Sequence, residues 1–250
     1  MANNDTAESA IKQYLEDHDD DAEAWGIFAL LAHDQDDSET AKQAAEKALA
    51  LQPENPDGLI TLGSEALEQQ DADEALRYLT EVTELYPTSG RGWSALGFAD
   101  LLNVDLERAD EHFQQAVKYM PGHIGTWHGL AWTQMLQDQF DESRASLAKA
   151  MEIDRNFGET HGAEAVLDVL EGKLDEARPK IKRALGLNKE SFSARLAQAL
   201  ILSKKGSPDK SSSMIQAMTS NMQFADGKSL EQVIAQLLAR KMGDADDTVH

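Results

Sequence analysis

Histidines 128 and 161 and the acid at 164 are the residues in this chain best placed to do chemistry. His161 and Glu164 stand three apart and share one helix face, and His128 lies one structural row earlier. Together they could hold a metal ion or act as an acid–base pair. The other histidines that carry any signal, His18, His33 and His112, have no second histidine at metal-ligand spacing, and His250 ends the chain. There is no cysteine, which excludes thiolate metal sites, iron–sulfur clusters, disulfides and cysteine nucleophiles. No phosphate-binding glycine loop, G-x-S-x-G elbow or H-E-x-x-H pair occurs. The runs DHDDD and HDQDD lack the glycine and closing glutamate of a calcium loop and read as solvated turns. The expectation is therefore a chain with no catalytic residues, no metal and no cofactor. His161 and Glu164 then stand where other rows carry Trp and Leu.

The elements that would position these residues follow from periodicity. Pro53, Pro87 and Pro121 each follow an apolar helical stretch and lie 34 residues apart. A fixed period in that range calls for laying the chain out in rows. Rows beginning at 22, 56, 90, 124, 158 and 192 put Trp25, Leu59, Trp93, Trp127, His161 and Arg195 at position 4. Position 8 holds Ala29, Gly63, Gly97, Ala131, Ala165 and Ala199, and position 20 holds Ala41, Ala75, Ala109, Ser143, Ala177 and Ser211. Each row contains two stretches with apolar residues at i, i+3, i+4 and i+7 joined by a short polar turn, the pattern of a helical hairpin. Small residues in fixed columns let helix axes approach to about 8–10 Å. Acidic pairs such as Asp73–Glu74 and Asp141–Glu142 open the second helices, where they suit the positive end of the dipole. The proline past each second helix stops it and turns the chain into the next row.

This spacing, with Trp93, Leu96, Gly97, Ala109, Phe113, Ala116 and Pro121 in one row, resembles the tetratricopeptide repeat. The resemblance implies an all-α, right-handed superhelical solenoid of antiparallel hairpins. Residues 1–21 read as a half repeat that caps the N-terminus, with Asp5 and Glu8 at capping-box spacing. The array runs over 22–225, in units 22–55, 56–89, 90–123, 124–157, 158–191 and a degenerate 192–225. Residues 226–250 read as a C-terminal capping helix, amphipathic over 229–242, and a tail.

The resemblance also implies protein recognition, with positions 2, 5, 9 and 12 of the first helices lining a concave groove. The residues there give the expected partner-binding set: Leu67, Phe98, Leu101, His128, Trp132, Met135, Val166, Val169 and Leu200. Such a wall suits an apolar or amphipathic peptide or helix, with the aromatic residues as anchors. Arg91 is the one basic residue in these columns, so the carboxylate clamp of some family members is not expected. The alternative occupant is the chain's own terminus or a second copy in a homo-oligomer.

Charge narrows the partner further. The net charge is −22, and residues 1–100 carry 23 acids against 5 bases. Such a surface repels phosphate backbones and anionic lipid, so nucleic acid and membrane insertion are not expected, and a partner with a basic region is. No stretch has the apolar core of a signal peptide, so the sequence as it stands reads as cytoplasmic. An exported or membrane-anchored soluble domain is the alternative, and some bacterial envelope-assembly and cytochrome-maturation accessory proteins are similar. Paired alanines at Phe98 and Trp132 are expected to abolish capture of the partner while leaving helical circular dichroism intact.

Overall fold

A computed structural model describes residues 2–69 and 71–219, with side chains over 7–69 and 71–218. Within it the chain forms thirteen α-helices and no strand. They are α1 (Ala2–Asp17), α2 (Ala22–His33), α3 (Ser38–Leu51), α4 (Pro56–Glu68), α5 (Ala72–Leu85), α6 (Gly90–Leu102) and α7 (Leu106–Tyr119). There follow α8 (Ile124–Leu136), α9 (Phe140–Ile153), α10 (Gly158–Leu170), α11 (Leu174–Leu187), α12 (Phe192–Lys204) and α13 (Pro208–Thr219). The first helix of every hairpin opens at 22, 56, 90, 124, 158 or 192, so the period persists through the last row although its signature residues are gone. The expected helix over 229–242 lies outside the described residues. α1 opens at Ala2, so Asp5 sits inside the helix rather than at its cap; its side chain also lies outside the described residues.

Local chemistry fixes the boundaries. Asp37, Asp71 and Asp105 accept hydrogen bonds from the backbone N–H of Thr40, Glu74 and Arg108, capping α3, α5 and α7. Asp21, Asn55, Ser89 and Ser191 do the same for α2, α4, α6 and α12. Gln52, before Pro53, is extended at φ −139° and ψ 98°, as a residue preceding proline must be. Asn188 takes nearly the same angles before Lys189, and where proline is missing its side chain holds the turn by accepting from the Glu190 N–H at 2.9 Å.

The turn inside each hairpin has a strict backbone requirement. Its fifteenth row position is left-handed at Asp36, Val104, Asp138, Gly172 and Gly206, with φ between 60° and 81°. Glycine accepts this freely and aspartate at small cost, but a β-branched side chain there is strained.

Packing follows the columns. Ala29, Ala131, Ala165 and Ala199 at position 8 are completely buried, as are Ala41, Ala75, Ala109, Ser143 and Ala177 at position 20. Phe113 is also fully buried and presses its ring on Gly97 of its own hairpin and Gly129 of the next. A methyl group on either glycine would come within 2.9 Å or 2.5 Å of that ring. The main core runs from Leu101 to Leu200 through the last four hairpins.

Successive first helices do not lie equally close. α2 packs tightly on α4 and α10 on α12, whereas α8 and α10 touch over the shortest stretch. Position 5 accounts for the difference. It is Gly26 in α2 and Gly162 in α10, where an added Cβ would come within 2.5 Å of Asn55 and 2.6 Å of the Ala194 backbone. It is Ile60, Ser94 and His128 in α4, α6 and α8, and the last two meet the next first helix through side-chain hydrogen bonds to Thr126 and Thr160.

Replacing Val104, which is 45 % exposed, by Asn removes the strained β-branched residue without touching the core. We expect Val104→Asn to stabilise the chain by about 1 kcal/mol in urea unfolding. An unchanged or lower midpoint would show that the turn carries no such strain.

Candidate functional site

The residues singled out for chemistry turn out to hold the solenoid together. At position 4, the indole N–H of Trp25, Trp93 and Trp127 donates to the carbonyl six residues earlier, of Asp19, Pro87 and Pro121, at 3.0, 2.9 and 2.8 Å. His161 Nε2 makes the same bond to Arg155 at 2.9 Å, and the Arg195 guanidinium to Lys189 at 3.1 Å. His161 is thus a substitute for tryptophan, and Leu59 is the one position-4 residue in the six rows with no side-chain donor. His128 shares a 2.8 Å hydrogen bond with Thr160 on α10 and meets Phe157 edge-on at 5.4 Å. Burial pushes its pKa down to about 4, so it is neutral near pH 7. The supposed acid–base or metal set of His128, His161 and Glu164 is not assembled, because each imidazole is committed to a different neighbouring helix or loop.

The expected groove wall separates into two groups. Leu101, Met135, Val166 and Val169 have no exposed surface and Leu200 has 1 %, so these belong to the core and are not offered to a partner. Their columns read as concave, but all five residues belong to the main core cluster. Leu67 is half-buried against the cluster around Leu79, and Phe98 is half-buried, edge-on to Phe113 at 4.9 Å. Trp132 is 7 % exposed and part of the core, so an alanine there removes packing worth about 3–5 kcal/mol. The expectation that alanines at Phe98 and Trp132 spare the fold is therefore corrected.

What remains open is a pocket of about 390 Å³ on the first-helix face, where α8 stands off from α10. Phe98, His128 and Trp132 form one side, with the fully buried Leu101 behind them. Phe157, from the turn before α10, and Phe192, the first residue of α12, form the other. Neither phenylalanine was in the sequence-derived set. The available signal was an apolar ring at Phe157, where other rows carry Asn55, Ser89, His123 and Ser191, and a second at Phe192, where other rows carry Ala22, Pro56, Gly90, Ile124 and Gly158. Two carboxylates mark the rim. Glu159 accepts from the backbone N–H of Phe192 and Ser193 at 3.1 and 3.0 Å, tying α10 to α12, and Glu190 pairs with Arg195 at 2.7 Å. Farther along the same face burial raises the pKa of Asp57, and Arg91 opposes that shift.

Behind this face runs a row of buried acids. Asp100, 1 % exposed, is met by His112 at 2.5 Å and Arg108 at 3.7 Å. Asp168, fully buried, is met by Arg144 at 3.2 Å and Lys180 at 2.6 Å. Glu65, also 1 % exposed, accepts from His33 Nδ1 at 2.8 Å and from the Ser38 hydroxyl. Glu68 lies on the far side of the same imidazole, 3.9 Å from Nε2. This grouping escapes a search for paired histidines because the carboxylates come 32 and 35 residues after His33.

Comparison with known proteins agrees with the geometry. The family model of the cytochrome c-type biogenesis protein H TPR domain matches residues 5–123, and a general tetratricopeptide-repeat model matches 100–167. The chain is a tetratricopeptide-repeat protein, and hence a scaffold for protein–protein interaction. Among solved structures it is similar to pilF of Pseudomonas aeruginosa, at 20 % identity and a TM-score of 0.63, covering 79 % of this chain and 90 % of that one. It is also similar to a thermophilic TPR protein of Thermus thermophilus, TTC0263, at 20 % identity and a TM-score of 0.59, covering 73 % and 100 %. A third is YrrB, described as a TPR protein with an unusual peptide-binding site, at 17 % identity and a TM-score of 0.56, covering 76 % and 97 %. Comparison with curated proteins gives no match. Scaffold families of this kind are in general non-catalytic, and no helix among the described residues is long and apolar enough to cross a membrane.

The lowered pKa of His128 has a measurable consequence. Between pH 6.5 and about 4 the unfolded chain takes up a proton that the native imidazole refuses. The stability given by the neutral ring is complete above that window and is lost as pH falls through it, by about 3 kcal/mol. Because carboxylates titrate over the same range, the reading is the difference between wild type and His128→Gln in urea unfolding at pH 7 and pH 4. The wild type should lose more on acidification, and equal losses would contradict the buried neutral state.

Proposed function

We propose that the protein is a non-catalytic adaptor that receives large apolar side chains of a partner segment in the pocket between α8, α10 and α12. The observation that carries this reading is the open apolar pocket itself. Phe98, Phe157 and Phe192 remain partly uncovered around it, while Leu101, Met135, Val166, Val169 and Leu200 are sealed inside the core. Such a hollow is costly to leave in water, and aromatic anchors filling it supply most of the affinity in peptide recognition. An amphipathic helix or an extended apolar segment fits the arrangement. The excess of acids in residues 1–100 supports a partner whose basic stretch runs toward the N-terminal repeats, where Glu23 and Asp57 stand on the same face. The match to the cytochrome c-type biogenesis TPR domain supports placing that adaptor beside an assembly pathway of the cell envelope, as an exported or anchored soluble domain.

Phe157 is the better probe of this site than Trp132, because it is 37 % exposed and its loss opens no core cavity. A photo-crosslinking benzoylphenylalanine in place of Phe157 should form a covalent adduct with one partner in extract from the native source. The same group in place of Arg178, on a second helix, should not. Capture should weaken as salt is raised, since exposed charges are screened beyond about 10 Å at 0.1 M. Equal labelling from both positions would defeat the pocket assignment. An adduct with the chain itself would assign the pocket to the C-terminal residues or a second copy.

A further inference from the structure

Every buried acid behind the concave face has a fixed cation beside it except one. Asp100 has Arg108 and His112, and Asp168 has Arg144 and Lys180. Among the described residues, Glu65 and Glu68 make no ion pair with a lysine or arginine, and only His33 stands between them. Glu65 Oε2 is occupied by the Ser38 hydroxyl and Oε1 accepts from His33 Nδ1, so the proton of the neutral imidazole sits on Nδ1. The lone pair of Nε2 then faces a second carboxylate, Glu68, at 3.9 Å. Two negative groups directed at one gap repel unless a cation lies there.

The surroundings add to that demand. His33 is the last residue of α2 and Glu68 the last of α4, so two helix C-termini turn their negative ends toward the gap. Asp36 and Lys42 are the other charges close to Glu68, and they offset one another. One donor atom from each of His33, Glu65 and Glu68 lies within 4.8 Å of the others. Two ligands that share a zinc ion at about 2.1 Å each stand roughly 3.4 Å apart, so the half-exposed Glu68 side chain closes the difference by a small rotation. The His33 side chain is 18 % exposed and that of Glu68 48 %, which leaves an entry path from solvent.

We propose that His33 Nε2 and Glu68 bind a divalent transition-metal ion such as Zn²⁺, with Glu65 orienting the imidazole and water completing the coordination. A carboxylate on the far ring nitrogen of a ligating histidine is the usual means of fixing its tautomer and raising its basicity. An imidazole ligand favours zinc, nickel or copper over magnesium and calcium. The ion would tie α2 to α4, the pair of first helices that Gly26 already brings close. This site is independent of the apolar pocket.

The test uses the full chain without a histidine tag, with zinc chloride as the probe in competition with a zinc-sensitive chromophore. One ion should bind per chain. His33→Gln and Glu68→Gln should each weaken binding at least about tenfold, as ligand loss does, and Glu65→Gln by roughly 10–100-fold because the imidazole loses the carboxylate that orients it. His161→Gln, which removes a structural histidine, should leave zinc binding unchanged, and far-UV circular dichroism should show every variant folded. The proposal is overturned if wild type binds no zinc up to millimolar concentration or if His33→Gln and Glu68→Gln bind it as wild type does. Equal competition by magnesium would overturn it as well, since it would mean that carboxylate oxygens hold the ion without the imidazole.

Discussion

The contact between position 5 of one first helix and the start of the next sets the shape of this solenoid. Where glycine stands there, at Gly26 and Gly162, backbone and side chains of the following hairpin approach until a single added carbon would collide. Where a larger residue stands there, successive first helices touch over a shorter stretch, the shortest where His128 stands. Its ring is fixed from both sides, by Thr160 and by Phe157, so the spacer is rigid. The pocket is the space that this spacer leaves. A repeat protein is nearly one-dimensional, each unit touching only its neighbours, so one enlarged interval changes the binding face without disturbing distant units.

The same logic explains why the later repeats tolerate losing their signature residues. The bond from position 4 to the carbonyl six residues back needs an N–H donor that reaches that distance, and tryptophan, histidine and arginine all supply one. The turn at position 15 needs a left-handed residue, met by aspartate or glycine in most rows. The chain's identity as a repeat thus lies in a set of physical requirements more than in particular letters. Residues that look anomalous as letters, His161 above all, are ordinary once the requirement is seen.

How much of this could be read from the sequence depends on how far apart the interacting residues are. Helix boundaries were legible, because caps, dipole-matched acids and small-residue columns act within one hairpin and repeat at one period. The fate of the apolar stripe was not. Met135, Val166, Val169 and Leu200 have the same periodicity as a groove residue, yet all four are buried in the main core cluster, through contacts between hairpins that no single row displays. Phe157 lies in the turn before α10 and Phe192 at the very start of α12, outside the amphipathic stretch of either helix, so helical periodicity could not find them. The His33–Glu65–Glu68 group joins residues a whole repeat apart, beyond any local motif.

The proposed function rests on the interval left open between α8 and α10. The most direct test is a crystal structure of the double variant His128→Gly, Thr160→Ala, which copies into the α8–α10 interface the pairing that Gly162 and Ala194 make between α10 and α12. The account predicts that α10 moves against α8 to the tighter spacing and that the pocket between Trp132 and Phe157 closes. If the two helices keep their present separation around a hole filled by water or a shifted side chain, position 5 does not set the interval and the origin proposed for the binding face is wrong.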